Sequence, residues 1–195
     1  VGAQLRGLLD HPHDAPVDVV LPDVLELADD AAHLALVEVH VAVAESEHEK
    51  LHPGPQHLVR GPLEHVKILD LGHYISGPFC AKLLADMGAE VIKVERLGGE
   101  ETRYHGPWVR KQSSYWVQYN TGKKSLSIDM RKDKAKEILN KLVKVSDVVI
   151  ENSPPNFMDK AGLGYKELTK VRPDLVMVRM PAYGLTGPYK DFRAW

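Results

Sequence analysis

The chain has 195 residues, a formal net charge of −2 and a single cysteine. One cysteine excludes an internal disulfide framework and is typical of a reducing compartment, which predicts a cytoplasmic location. No apolar tract is long enough to span a bilayer, and no basic region followed by an apolar core indicates a signal peptide. The small net charge conceals a split, because residues 1–65 carry −9 and residues 66–195 carry +7.

Residues 1–65 have an unusual composition. They hold eight of the ten histidines but no Phe, Trp, Tyr, Ile, Met, Cys, Asn or Thr. Apart from Ser46 and Lys50, every residue is of a type whose codons can begin with G or C. Translation of the strand opposite a gene with G/C-rich third codon positions produces this bias. The leading hypothesis is therefore a spurious or misassigned upstream frame, and without aromatic residues we expect the segment to be mostly poorly ordered.

Two other interpretations of this segment remain open. It could be a genuine acidic extension, and the alternation around Glu38 and His40 is compatible with a strand within residues 34–44. A metal site is the third interpretation, and it would use these histidines: His11, His13, His48 and His52. No cysteine accompanies them and their spacings fit no compact zinc pattern, so we expect no metal.

The stretch from Val66 to Glu95 (VKILDLGHYISGPFCAKLLADMGAEVIKVE) predicts a strand, a turn, a helix and a second strand. Ser76 is the expected helix cap, with proline following in the first turn. The apolar stripe of the helix, which we expect to lie on the sheet, contains Phe79, Cys80, Leu83, Leu84 and Met87. The loop after the first strand then lies at the carboxyl edge of the sheet, where ligands usually bind.

The same alternation of strands and helices continues to the end of the chain. Further strands are predicted within residues 125–129, 147–150 and 175–180, and further helices within 113–120, 132–145, 157–161 and 165–171. This order predicts an α/β fold with a Rossmann-like parallel sheet and flanking helices in residues 66–195. The chain stops just after a strand and its loop, so we expect a fragment of a longer domain.

Common site motifs are absent from residues 66–195. The turn after the first strand has glycine only at positions 72 and 77, not GxGxxG, which weighs against an ordinary dehydrogenase. There is no Walker A loop, no GxSxG elbow and no zinc-ligand cluster. Cys80 lies on the apolar stripe, which favours a buried and inert thiol.

Basic residues at predicted strand ends are the remaining candidates. Together they could neutralise a polyphosphate ligand at one edge of the sheet, although each alone is more often a solvent-facing charge. They are Arg96, Lys123, Lys124, Arg131, Lys160 and Arg193. The lysines of the 132–145 helix indicate a solvated face, and the aromatic residues of 113–120 indicate core packing. Neither feature predicts a nucleic-acid partner.

Residues 66–195 resemble family III coenzyme A transferases. The resemblance rests on the 66–96 unit followed by NTGKKSLSIDMR, DVVIENSPPNFMDKAGLGYKEL and RPDLVMVRMPAYGLTGPYKD, in unbroken order. The family contains formyl-CoA:oxalate transferase, carnitine CoA-transferase and α-methylacyl-CoA racemase. The resemblance implies a Rossmann-like domain that binds CoA across its strand ends, acyl-CoA and carboxylic acid substrates, and an interlocked homodimer at full length. It implies no metal, nucleic-acid or membrane partner.

Matching motif to motif, the resemblance implies a set of CoA contacts. Ile75 and Ser76 would contact CoA in the first turn, Arg96 the nucleotide phosphates, and residues 128–131 the adenine side. Asn152 and Ser153 would line the pantetheine channel, with His73 at its mouth. The implied contacts are His73, Ile75, Ser76, Arg96, Ile128, Asp129, Met130, Arg131, Asn152, Ser153, Lys160 and Arg193.

No catalytic residue is predicted within the chain. In the transferases an aspartate carboxylate attacks the acyl-CoA thioester, and the resemblance implies that this residue follows the GLTGPY segment, beyond Trp195. Asp191 does not match it. We therefore expect an amino-terminal part of an enzyme that transfers CoA between carboxylic acids, inactive by itself. An acyl-CoA racemase and a noncatalytic nucleotide-binding module remain alternatives.

Overall fold

The computed structural model describes residues 61–130 and 132–192, together with the backbone of a strand at residues 40–43. The strands are β1 (His40–Val43), β2 (Lys67–Asp70), β3 (Glu90–Glu95), β4 (Trp108–Val109), β5 (Gln112–Ser113), β6 (Lys124–Ser127), β7 (Val148–Glu151) and β8 (Val176–Arg179). The helices are α1 (Ser76–Asp86), α2 (Ser114–Asn120), α3 (Asp133–Val145), α4 (Phe157–Lys160) and α5 (Tyr165–Val171). None of the helices in this described part is long and apolar enough to cross a membrane.

The main sheet has the order β1-β6-β3-β2-β7-β8. The five neighbouring strands β6, β3, β2, β7 and β8 are parallel, whereas β1 pairs with β6 in the antiparallel sense. The first parallel strand, β2, therefore lies between the second and the fourth, and the chain order reverses between β2 and β7. In parallel α/β sheets, ligands usually bind outside the carboxyl ends of the strands on either side of such a reversal. The predicted Rossmann-like α/β fold is confirmed.

Helices cover both faces of the parallel sheet. On one face, Leu139 and Leu142 of α3 and Leu168 of α5 join a cluster with Leu69 and Val149. On the other face, a smaller cluster holds Ile68, Ala81, Val91 and Ile150. Ile68 and Leu69 are neighbours in β2 and are both fully buried. Strands that are apolar on both sides are what a sheet between two helical layers requires.

The prediction for the apolar stripe of α1 is only partly correct. Phe79, Leu83 and Met87 are exposed, whereas Gly77, Pro78 and Ala81 form the buried face. The small side chains allow the helix axis to approach the strands closely, so the larger ones are left at the flanks. The expected cap is also wrong, because the cap position is Ile75 and no side chain caps the helix.

The residues just before the composition boundary at Val66 contact the residues that follow it. The Leu63 amide donates to the Met87 carbonyl over 3.1 Å, and a Cβ on Gly61 would lie 2.1 Å from that carbonyl oxygen. In the acidic segment, residues 40–43 form the edge strand that the alternation suggested. The four histidines of the metal hypothesis lie outside the described residues.

Candidate functional site

The loops that follow β2 and β7 meet at the reversal of the sheet. Asn152, directly after β7, joins them through its side-chain amide. Its Oδ1 accepts from the His73 amide over 2.7 Å, and its Nδ2 donates to the His73 carbonyl over 2.8 Å. The same Nδ2 donates to Ser76 Oγ over 3.0 Å. One amide therefore fixes the turn of residues 72–76, hereafter the β2 turn, against the neighbouring loop.

Two glycines make this close approach possible. A Cβ on Gly72 would lie 2.9 Å from the Cα of Gly77, and a Cβ on Gly77 would lie 3.1 Å from Asn152 Oδ1. A side chain at Gly72 would force its neighbours to shift, and one at Gly77 would need them to move by a few tenths of an ångström. The glycines thus bring the start of α1 onto the β2 turn.

A buried cluster of charged side chains, hereafter the ion cluster, lies beneath the β2 turn. It consists of Asp70, Lys93, Glu100 and Lys123, each at most 3% exposed. Asp70 accepts from the Gly72 amide over 2.8 Å through one oxygen and from Lys123 Nζ over 2.8 Å through the other. Lys93 Nζ donates to the Gly72 carbonyl over 2.7 Å and lies 2.7 Å from Glu100 Oε2. Backbone atoms of the turn thus contact buried charges directly.

The neighbouring lysines stabilise the carboxylate form of Asp70. Burial alone would raise the pKa of Asp70, but Lys93 and Lys123 outweigh it, and the pKa is lower than usual. Burial lowers the pKa of Lys123, and the neighbouring Asp70 carboxylate offsets only part of this effect. Buried pairs of this kind are costly to break, because removing one partner leaves the other charge buried alone.

A second loop meets this region after β3. Arg96 has an exposed side chain that pairs with Glu101 at 3.0 Å, and its Nε donates to the Gly99 carbonyl over 3.0 Å. The amide of Ile128, just past β6, donates to the Glu95 carbonyl over 2.9 Å. Because Glu95 directly precedes Arg96, the loop after β6 starts beside the guanidinium-bearing loop.

Comparisons with known proteins identify the family. The family model for CoA-transferase family III matches residues 63–195. The chain belongs to CoA-transferase family III. It is 42% identical over 132 residues to a succinyl-CoA–D-citramalate CoA-transferase of Chloroflexus aurantiacus, covering 67% of this chain and 33% of that protein. It is 43% identical over 129 residues to the human succinyl-CoA:glutarate CoA-transferase, covering 65% and 30%.

Solved structures agree with this assignment. A CAIB/BAIF family protein from Brucella suis aligns with a TM-score of 0.66 at 35% identity, covering 70% of this chain and 37% of that one. A hypothetical protein from Mycobacterium tuberculosis aligns with a TM-score of 0.65 at 37% identity, covering 69% and 38%. The chain thus spans about a third of the length of the curated relatives it matches.

The fold brings part of the predicted family III contact set together. The β2 turn and Asn152 are in direct contact, and Arg96 lies in the loop beside Ile128. Ile75 and Met130 are exposed, whereas Ile128 is fully buried. The Asp129 carbonyl accepts from the Lys132 amide over 3.0 Å and so closes the turn before α3.

Other predicted contacts lie at the margin of this region or outside the description. Ser153 is buried, and its amide donates to Glu151 Oε2 over 2.6 Å, which leaves its hydroxyl for other partners. Lys160 is exposed at the end of α4. Arg131 and Arg193 lie outside the described residues. The role of each remains a prediction.

Two lysines of the polyphosphate hypothesis are engaged within the protein. Lys123 is buried and donates to Asp70, to the Pro78 carbonyl and to Asn120 Oδ1. Lys124 pairs with Glu90 at 2.7 Å, at the amino ends of β6 and β3, away from the ligand edge. Among the described residues, Arg96 and Lys160 remain from that set. Cys80 is half-buried, and burial raises the pKa of its thiol, which agrees with an inert residue.

The sequence pattern does not predict the ion cluster, and it points to Lys123 only as a candidate for a polyphosphate ligand. The sequence does carry a signal for Lys93, because this lysine stands between Ile92 and Val94 in a predicted parallel strand. Such a lysine must find a buried carboxylate, because an unpaired charge in that position would be strongly unfavourable. The sequence does not specify which carboxylate, since Glu100 is seven residues further along a loop.

Proposed function

We propose that this chain forms the CoA-binding part of an enzyme that transfers CoA between carboxylic acids. The observation that carries the proposal is the contact of Asn152 with the β2 turn across the reversal of the sheet. This contact brings polar groups of two loops together at the carboxyl edge of the sheet, which is where ligands bind parallel α/β sheets. The relatives are named for succinyl-CoA as donor and for D-citramalate or glutarate as acceptor, which supports the substrate class.

The proposal assigns the loops after β3 and β6 to the nucleotide half of CoA, and the loops after β2 and β7 to the pantetheine half. Arg96 would pair with the nucleotide phosphates, because a guanidinium forms charge-assisted hydrogen bonds with phosphate oxygens. The backbone from Ile128 to Arg131 would line the adenine side. Ile75, Ser76, Asn152 and Ser153 would line the pantetheine arm, with His73 at its mouth.

Catalysis would depend on a carboxylate outside this chain. Asp191 is exposed, and no contact of the described residues joins it to the β2 turn or to Asn152. We expect the 195-residue chain to show no turnover with succinyl-CoA and glutarate. Turnover that Asp191→Asn abolishes would contradict this expectation. A homodimer at full length and a cytoplasmic location belong to the same proposal.

Titration calorimetry with CoA tests the binding function. Arg96→Ala should weaken binding about ten- to hundredfold, since hydrogen bonds to charged groups contribute roughly 1.5–3 kcal/mol. Arg110→Ala is the matched control, because Arg110 lies in the turn between β4 and β5, outside the predicted contact set. Equal losses for the two variants would indicate a diffuse basic surface and would contradict the assignment of Arg96.

A further inference from the structure

The β2 turn contains a backbone conformation that requires support. Tyr74 has φ 58°, in the left-handed region that residues with a side chain rarely adopt. Its side chain is 42% exposed, so core packing does not hold it there. Its amide, however, donates to Glu100 Oε1 over 2.6 Å. The strained residue is thus anchored through its backbone to a buried carboxylate.

Glu100 and Lys93 hold both ends of the strained segment. Glu100 is 2% exposed, with Oε1 on the Tyr74 amide and Oε2 at 2.7 Å from Lys93 Nζ. The same Nζ donates to the Gly72 carbonyl over 2.7 Å. One buried ion pair therefore contacts the donor at Tyr74 and the acceptor at Gly72, two residues apart in the turn.

Glu100 is also part of the loop that carries Arg96. Its amide donates to Glu95 Oε2 over 2.9 Å, at the end of β3. Arg96 donates to the carbonyl of Gly99 and pairs with Glu101, the two residues that flank Glu100. A displacement of this loop therefore moves the carboxylate that holds Tyr74.

We propose that Glu100, paired with Lys93, is a positioning residue that couples the β2 turn to the Arg96 loop, so that both halves of the CoA site form together. The coupling of the two loops is a property of the chain without ligand. Only the statement about the CoA site rests on the proposed function. The proposal predicts that a ligand on the Arg96 side changes the β2 turn.

Hydrogen exchange at the Tyr74 amide tests the first half without any ligand. In Glu100→Gln the neutral side-chain amide has two possible orientations. Either its NH₂ group faces the Tyr74 amide, which then loses its acceptor, or its oxygen, a weaker acceptor than the carboxylate, faces Tyr74 and the NH₂ group lies against Lys93. We expect exchange at Tyr74 to be faster by about tenfold, with exchange in β2 unchanged. Glu137→Gln, an exposed carboxylate on α3, should leave Tyr74 unchanged. Unchanged exchange at Tyr74 in folded Glu100→Gln would overturn the proposal.

A milder variant serves if Glu100→Gln does not fold. Thr102 Oγ1 donates to Glu100 Oε1 over 3.1 Å, and Thr102→Val removes this bond with almost no change of shape. Exchange at Tyr74 should then rise by about threefold, since Glu100 keeps its charge and its contact with Lys93. An unchanged rate in this variant would also contradict the role of Glu100.

The nucleotide half of CoA, adenosine bisphosphate, tests the coupling. When bound to the wild-type chain it should slow exchange at Tyr74, and in Glu100→Gln the slowing should be lost. A loss of fold stability alone would not remove this response. Binding without any change at Tyr74 would overturn the coupling. If adenosine bisphosphate and CoA both fail to bind, the proposed function fails, while exchange in the free chain still decides whether Glu100 positions the turn.

Discussion

At the scale of single residues, Glu95 shows how the structure accommodates buried charge. It is 2% exposed, and Arg103 binds it with Nε at 2.7 Å and Nη2 at 2.6 Å. The guanidinium of Arg103 also lies 3.6 Å from the centroid of the Trp116 ring. The carboxylate is buried, and the aromatic ring covers one face of the guanidinium, so the attraction is stronger than that of a fully exposed pair.

This geometry predicts an acid-sensitive contribution to stability. Burial would raise the pKa of Glu95, but Arg103 and Ser125 stabilise the carboxylate and lower the pKa below its ordinary value of 4.5. The stabilisation is complete above pH 4.5 and is lost as the pH falls through the lowered pKa. Urea unfolding at several acid pH values should show this loss, and Glu95→Gln should show a shallower loss. Parallel pH profiles for the two proteins would contradict the prediction.

At the scale of elements, amphipathic periodicity predicted α3 well, and the short helix α5 was also predicted next to Gly164. Predicted helix bounds of 132–145 and 165–171 compare with Asp133–Val145 and Tyr165–Val171. The buried face of α1 was predicted wrongly, because periodicity locates an apolar stripe but does not show how closely the helix packs on the sheet. Gly77 and Ala81 give close contact with the sheet, and this requirement depends on strands that are distant in sequence. The ion cluster was missed for the same reason.

A matched pair of leucine variants can measure how much the apolar side chains of α3 and α1 contribute to stability. Leu139 is 2% exposed and lies in the larger core cluster. Leu139→Ala should therefore lower the free energy of unfolding by about 2–5 kcal/mol. Leu83 is 42% exposed on α1. Leu83→Ala should therefore lower the free energy of unfolding by about 0.5 kcal/mol or less. Denaturant unfolding measures both. A large loss for Leu83→Ala would mean that another part of the protein covers this side of α1.

At the scale of the whole molecule, the order of the parallel strands sets the position of the site. β2 is first in the sheet's parallel part and lies at its centre, so its turn meets the loops after β3 and β7 from either side. The alternation of elements in the sequence predicted the parallel sheet, and the resemblance added the family. Neither could show that β1 would pair with β6, because four residues of alternating pattern do not specify a partner.

Removal of residues 1–60 tests whether the acidic segment is dispensable. We expect residues 61–195 to keep a cooperative transition and to lose about 2 kcal/mol or less. The reason is that β1 adds few backbone hydrogen bonds, worth roughly 0.5–1.5 kcal/mol each. Hydrogen exchange should become faster at Lys124–Ser127, the strand that β1 pairs with. Loss of the cooperative transition on removal would show that the segment belongs to the domain.

The charge balance of the ion cluster determines how the site responds to salt. Its two acidic and two basic residues cancel, and they are screened from water. Dissolved ions act chiefly on exposed charges, so they leave the β2 turn unchanged. Arg96, whose side chain is 59% exposed, is in reach of them. Potassium chloride should therefore weaken the proposed phosphate contacts of CoA and spare the proposed pantetheine contacts, so a high-salt titration measures one half of the proposed site in isolation.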